Sequence, residues 1–137
     1  MAQILLLEDE ECYAQALSEA LSGMGHKVVV SKNVSDALEE IGKYCFDLFI
    51  VDLFIKKVGG QAQLGGISLI NHLKLNELGN NSQRSSCPPI LAISGVFGHE
   101  ETLIDPQFGR AIGADMLLAK PFSFNELLNA VSELLAR

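Results

Sequence analysis

Residues 3–10 read QILLLEDE, and this short stretch decides the fold. Four consecutive apolar residues, Ile4 to Leu7, are cut off at once by Glu8, Asp9 and Glu10. A run so short and so uniformly apolar predicts a strand buried on both faces, not one side of a helix. The same texture returns in Lys27–Ser31 (KVVVS), Phe46–Val51 (FDLFIV), Ile90–Ile93 (ILAI) and Met116–Ala119 (MLLA). Lys27–Ser31 is rich in β-branched residues, which suit a pleated surface.

Helical spacing fills most of the gaps. Over residues 10–23, Tyr13, Leu17, Ala20, Leu21 and Met24 share one face, and Gly23 and Gly25 supply the stop. Asn33 is placed to cap a helix whose apolar face is Val34, Ala37, Leu38 and Ile41, with Asp36 at the capping-box position. A third helix is expected from about Ile67 to Leu78, with Leu69, Ile70, Leu73 and Leu78 inward. Asp105-Pro106 reads as an N-cap followed by proline at the first helical position, ahead of Phe108, Ala111 and Ile112. Ser123 to Glu126 is a capping box that opens a last helix carrying Leu127, Leu128, Val131, Leu134 and Leu135. Residues 56–66 and 79–89 read as loops, the first glycine-rich, and 95–105 has no clear period.

Strand and helix thus alternate five times, which implies a parallel sheet with helices on both faces. Right-handed crossovers make it doubly wound. One domain over residues 1–137 is expected, since 137 residues suffice for one core and no linker or repeat is visible. The net charge of −7, from 10 basic and 17 acidic residues, disfavours direct binding to nucleic acid or an anionic membrane. No targeting signal or long apolar span is present, and Cys12, Cys45 and Cys87 have no metal-ligand spacing. A cytoplasmic protein with reduced thiols is expected.

In a doubly wound sheet, ligands bind beyond the carboxyl ends of the strands. Those ends carry Glu8, Asp9 and Glu10, then Asp52, then Ser94, then Lys120 before Pro121. Taken singly, each has a plain explanation. Asp52 or Ser94 would be a turn residue, Lys120 a surface cation, and Glu10 and Glu11 a solvated helix start. Together they would place carboxylates, a hydroxyl and an amine in one pocket. Grouped carboxylates such as Glu8, Asp9 and Asp52 repel unless a cation joins them, and hard oxygens with room for water suit Mg²⁺. A hydroxyl and an ammonium opposite the metal are what a phosphoryl group needs. An aspartate can be the nucleophile that receives it.

Four segments carry a resemblance over essentially the whole chain: ILLLEDE (4–10), DLFIVDLF (47–54), PILAISG (89–95) and GADMLLAKPF (113–122). In this order, each at a strand end, they resemble the receiver domain of two-component response regulators. The resemblance implies a flavodoxin-like strand order 2-1-3-4-5. It implies Asp52 as phosphoacceptor, Glu8 and Asp9 as the acidic pair that helps hold Mg²⁺, and the backbone carbonyl of Phe54 as a further ligand. Ser94 and Lys120 would contact the phosphoryl group, and the Lys120–Pro121 bond would be cis. The implied partners are a histidine kinase or histidine phosphotransfer protein, and downstream a protein target or output domain. Homodimerisation would run through the fourth helix, fifth strand and fifth helix. Such a domain assists its own modification and is not a turnover enzyme. Leu117 departs from the pattern, standing where many receivers carry a Tyr or Phe that rotates on phosphorylation.

Other readings of the same residues are weaker. A degenerate receiver used only for docking would not need the full Asp, Ser and Lys set. A Mg-dependent aspartyl phosphatase of the haloacid-dehalogenase type generally needs a second acid two residues after the nucleophile, where this chain has Phe54. A flavodoxin-like cofactor binder needs a Ser-, Thr- and Gly-rich loop after the first strand, where this chain has four acids, Glu8 to Glu11.

A long-lived phosphorylated state is also expected. Hydrolysis needs a water in line with the Asp52–phosphorus bond. The resemblance places the side chains two residues after Asp52 and two after Ser94, Phe54 and Val96, beside that approach. Neither can orient a water, and each ~1.4 kcal/mol added to the barrier slows loss tenfold. Phe54→Asn or Phe54→Glu should shorten the lifetime of the phosphoryl group several-fold. Loss no faster than in the parent would end the shielding idea.

Overall fold

The apolar runs pair side by side. In chain order the computed structural model contains β1 (Gln3–Leu7), α1 (Glu11–Gly23), β2 (Lys27–Ser31), α2 (Val34–Lys43), β3 (Leu48–Asp52), β4 (Ile55–Lys56), β5 (Ala62–Gln63), α3 (Gly65–Gly79), β6 (Ile90–Gly95), β7 (Met116–Lys120) and α4 (Phe124–Leu135). It describes residues 2–53, 55–56, 62–63, 65–79, 88–95 and 113–136. The main sheet has five strands in the order β2-β1-β3-β6-β7, every neighbouring pair parallel. Counted along the sheet's own strands this is 2-1-3-4-5, so the chain reverses direction across the sheet between β1 and β3.

Alternation along the strands feeds two cores. Ile4, Leu6, Leu48, Ile50, Leu91 and Ile93 pack with Leu17 and Leu21 of α1 and Leu127, Val131 and Leu134 of α4. Leu5, Leu7, Phe49, Val51, Ile90 and Ala92 face the other way, onto Ala37 of α2 and Leu69, Ile70 and Leu73 of α3. Both faces of the central strands β1, β3 and β6 are therefore dry, which is why those strands are uniformly apolar. The edge strand β2, expected to be buried on both faces, instead leaves Lys27 and Val30 exposed, and β7 is half-buried. The expected caps form. Asn33 Oδ1 accepts from Asp36 N at 2.8 Å, and Ser123 Oγ accepts from Glu126 N at 3.1 Å. Each cap satisfies a backbone donor that the first helical turn leaves without a partner.

Several expectations need correction. In α1 the fully buried positions are Ala14, Leu17 and Leu21; Met24 has left the helix and is exposed, and Cys12 is exposed. The third strand begins at Leu48, while Phe46 is buried just ahead of it, its ring 6.0 Å from that of Phe49. Ser94 and Lys120 lie within β6 and β7, because the ladder continues through Ser94↔Ala119 and Gly95↔Lys120. The expected loop 56–66 holds part of an antiparallel pair, Ile55↔Gln63 and Lys56↔Ala62, and α3 starts at Gly65. His26 is half-buried, and its Nδ1 accepts from Ala2 N at 3.2 Å. The helix expected after Asp105-Pro106 lies outside the described residues, as does Cys87. Among the described residues, no helix is long and apolar enough to cross a membrane.

Candidate functional site

The strand ends bring the expected residues together. β1 delivers Glu8 and Asp9, β3 ends on Asp52, β6 carries Ser94 and β7 ends on Lys120. Glu8, Asp52 and Ser94 are buried and Asp9 is half-buried. Glu8, Asp9 and Asp52 each turn a carboxylate oxygen inward, all within 4.8 Å of one another. The Lys120 ammonium donates to Glu8 Oε2 at 2.8 Å and to Asp52 Oδ2 at 3.3 Å. The Lys120–Pro121 bond is cis. Leu117 is half-buried and packs with the core beneath α2 and α3. Phe54 and Val96 lie outside the described residues.

Glu8 is positioned more firmly than expected. Its backbone N–H donates to Ser31 O at 3.0 Å, and its Oε1 accepts from Glu10 N at 3.2 Å. Burial, then the neighbouring Asp52 charge, push its carboxyl up to about 7, against the pull of Lys120. Burial alone would pull the Lys120 ammonium down, but its bond to Glu8 and the Asp52 charge hold it above the usual lysine range.

The Glu8 shift has a consequence for stability. A carboxyl that ionises at 4.5 unfolded and about 7 folded stabilises the fold below pH 4.5. That contribution is lost as pH rises through 7. At about 1.4 kcal/mol per unit, roughly 3 kcal/mol separates the two ends of this window. Without divalent ions, Glu8→Gln should therefore gain stability relative to the parent between pH 5 and 8, read by urea unfolding. A parallel dependence in both proteins would refute the assignment to Glu8.

Two further residues shape the site and were not singled out for it in the sequence. Gly66 N donates to Leu53 O at 3.2 Å, and a Cβ at Gly66 would collide with the Asp52 carbonyl oxygen. The glycine lets α3 start directly against the end of β3. Tyr13, read only as part of a helix face, lies with its ring centroid 4.4 Å from Lys120 Nζ.

Three hard carboxylate oxygens crowded around one point are the donor set a divalent cation such as Mg²⁺ takes. The half-buried ammonium beside them suits a second anionic group. Among known proteins, the family of response regulator receiver domains matches residues 4–132. The chain belongs to that family. Two-component response regulator PhoP of Pseudomonas aeruginosa is 30% identical over 98% of this chain and 52% of its own. Response regulator ArlR of Staphylococcus aureus is 26% identical over 100% of this chain and 54% of its own. A solved Chloroflexus aurantiacus chain ascribed to the response regulators superposes with a TM-score of 0.78 at 26% identity, covering 99% of this receiver and 98% of that chain. The receiver thus spans about half the length of the relatives it matches in sequence.

Proposed function

We propose that this receiver is a phosphoacceptor switch: Asp52 takes a phosphoryl group from a histidine kinase or histidine phosphotransfer protein, with Mg²⁺ at the acidic cluster. The observation that carries this reading is the Lys120 ammonium held between Glu8 and Asp52 at the rim of the three-carboxylate group.

The chemistry follows from these groups. An Asp52 carboxylate oxygen attacks phosphorus and forms the new P–O bond. The bond from phosphorus to the donor's imidazole nitrogen breaks, and the imidazole leaves with its electron pair. Lys120 offsets the charge on the phosphoryl oxygens, and the Ser94 hydroxyl, one residue beyond the Asp52↔Ile93 pairing, donates to one of them. Asp9, Asp52 and the Phe54 carbonyl would hold Mg²⁺ directly. Glu8, tied to Lys120, would act on it less directly. The ion would supply charge neutralisation for the phosphoryl group. Asp52 then carries added negative charge, which biases a two-state surface read by a protein target or output domain.

Incubation with Mg²⁺ and a small acyl phosphate, followed by intact mass, tests this reading. One added phosphoryl group is the expected result. No addition would favour a docking role independent of phosphorylation, the reading that Leu117 at the usual aromatic position supports. Mg²⁺ titration provides a second check. Asp9→Ala removes one of the three clustered carboxylates, and should weaken Mg²⁺ binding about tenfold or more. Parental affinity in that variant would move the metal elsewhere.

A further inference from the structure

Lys120 is held from a third side that the proposed chemistry does not use. Its amine has three donors. Two partners are the Glu8 and Asp52 oxygens, and among the described residues the Tyr13 ring is a third neighbour, 4.4 Å away at its centroid. That is well inside the range, about 6 Å, over which an ammonium is drawn to an aromatic face. The ring is itself braced. It meets Phe122 edge-to-face, with centroids 6.0 Å apart and planes at 80°, and both rings rest against the core beneath α1 and α4.

Core filling does not account for Tyr13. The buried stripe of α1 is Ala14, Leu17 and Leu21, whereas Tyr13 is only half-buried. An aliphatic residue would cover the same apolar edge. What an aromatic ring adds is a face that attracts a cation while keeping water off it, and the Lys120 side chain is only 18% exposed.

We propose that Tyr13 is a positioning residue whose ring holds the Lys120 ammonium against Asp52, ready for the incoming phosphoryl group. The idea rests on the phosphoacceptor reading of Asp52. When Asp52 attacks phosphorus and the donor leaves with the electrons of the broken bond, the phosphoryl oxygens need a cation already in place. A lysine with a free four-carbon stem would first have to be ordered. The ring supplies that order without competing as a hydrogen-bonding anion, so the ammonium can turn from the two carboxylates to the phosphoryl oxygens.

Tyr13→Phe keeps the ring, and Tyr13→Leu keeps only apolar bulk. With Mg²⁺ and acetyl phosphate, the leucine variant should take up the phosphoryl group about tenfold more slowly, and the phenylalanine variant within about twofold of the parent. Without any phosphoryl donor, the Lys120 ε-methylene proton resonances should be shifted upfield by the ring in the parent and in Tyr13→Phe, and return to ordinary lysine positions in Tyr13→Leu. Urea unfolding of each variant confirms that it is folded. Uptake by Tyr13→Leu at the parental rate would overturn the proposal. So would equal slowing in both variants, which would point to the hydroxyl or the packing, or an unshifted ε-methylene in the parent. A parent that takes up no phosphoryl group would overturn the phosphoacceptor reading and this role with it, a failure distinguishable because it shows before any variant is made.

Discussion

Asp52→Asn should abolish uptake of a phosphoryl group from an acyl phosphate. An amide of the same shape has no anionic oxygen to attack phosphorus, so the effect is all-or-none, not graded. The other acids near the site are poor substitutes. Glu8 is buried and engaged by both Lys120 and the Glu10 backbone, and Asp9 precedes α1 on a different strand end. The fold should survive. Lys120 keeps its shorter bond, 2.8 Å to Glu8, and an amide oxygen can still accept from it where Asp52 does at 3.3 Å. Removing the Asp52 charge also removes one of the two influences that raise the Glu8 carboxyl, so Glu8 should ionise more readily and partner Lys120 more fully. Intact mass after incubation with Mg²⁺ and acetyl phosphate decides the matter, with urea unfolding as the control. A mass gain equal to the parent's in a folded variant would remove Asp52 from the central role.

The architecture was legible because burial on both faces leaves an unmistakable trace. LFIVD at residues 48–52 is buried at every position, and no amphipathic helix could write that run. Strand-end chemistry was legible for a topological reason. Parallel strands bring all their carboxyl ends to one rim, so Glu8, Asp9, Asp52, Ser94 and Lys120 must meet there whatever lies between them. What could not be read was anything that depends on a neighbour distant in the chain. Glu8 and Lys120 are 112 residues apart, and nothing in either segment says that the acid is tied to the lysine before any metal arrives. Tyr13 looks like any apolar helix position until β7 is placed beside it. The pair of two-residue strands, Ile55–Lys56 and Ala62–Gln63, is too short to show a period.

Gly66 makes the same point and yields the largest expected loss of stability. Residues 56–66 read as a glycine-rich loop, yet Gly66 is buried where α3 abuts β3. A Cβ there would collide with the Asp52 carbonyl oxygen and come within 2.6 Å of its carbon and 2.7 Å of Leu53 Cα. These are backbone atoms, with no flexible side-chain end to give way. Gly66→Ala must therefore lift the start of α3 off the strand, drawing Leu69, Ile70 and Leu73 from the core beneath it. Overpacking against well-packed side chains costs about 1–3 kcal/mol, and a clash with fixed backbone belongs at or above the top of that range. We expect a loss of about 3 kcal/mol or more. The same shift would move the peptide that aims the Asp52 carboxylate, so phosphoryl uptake by the remaining folded protein should slow as well. Gly42→Ala is the control. It lies in α2 with nothing within 4 Å of its would-be Cβ, and alanine there should be neutral or stabilising by up to about 1 kcal/mol. If both alanine variants unfolded in urea at the parental midpoint, the close approach of α3 to Asp52 would not constrain this fold, and the glycine would be no more than a loop residue.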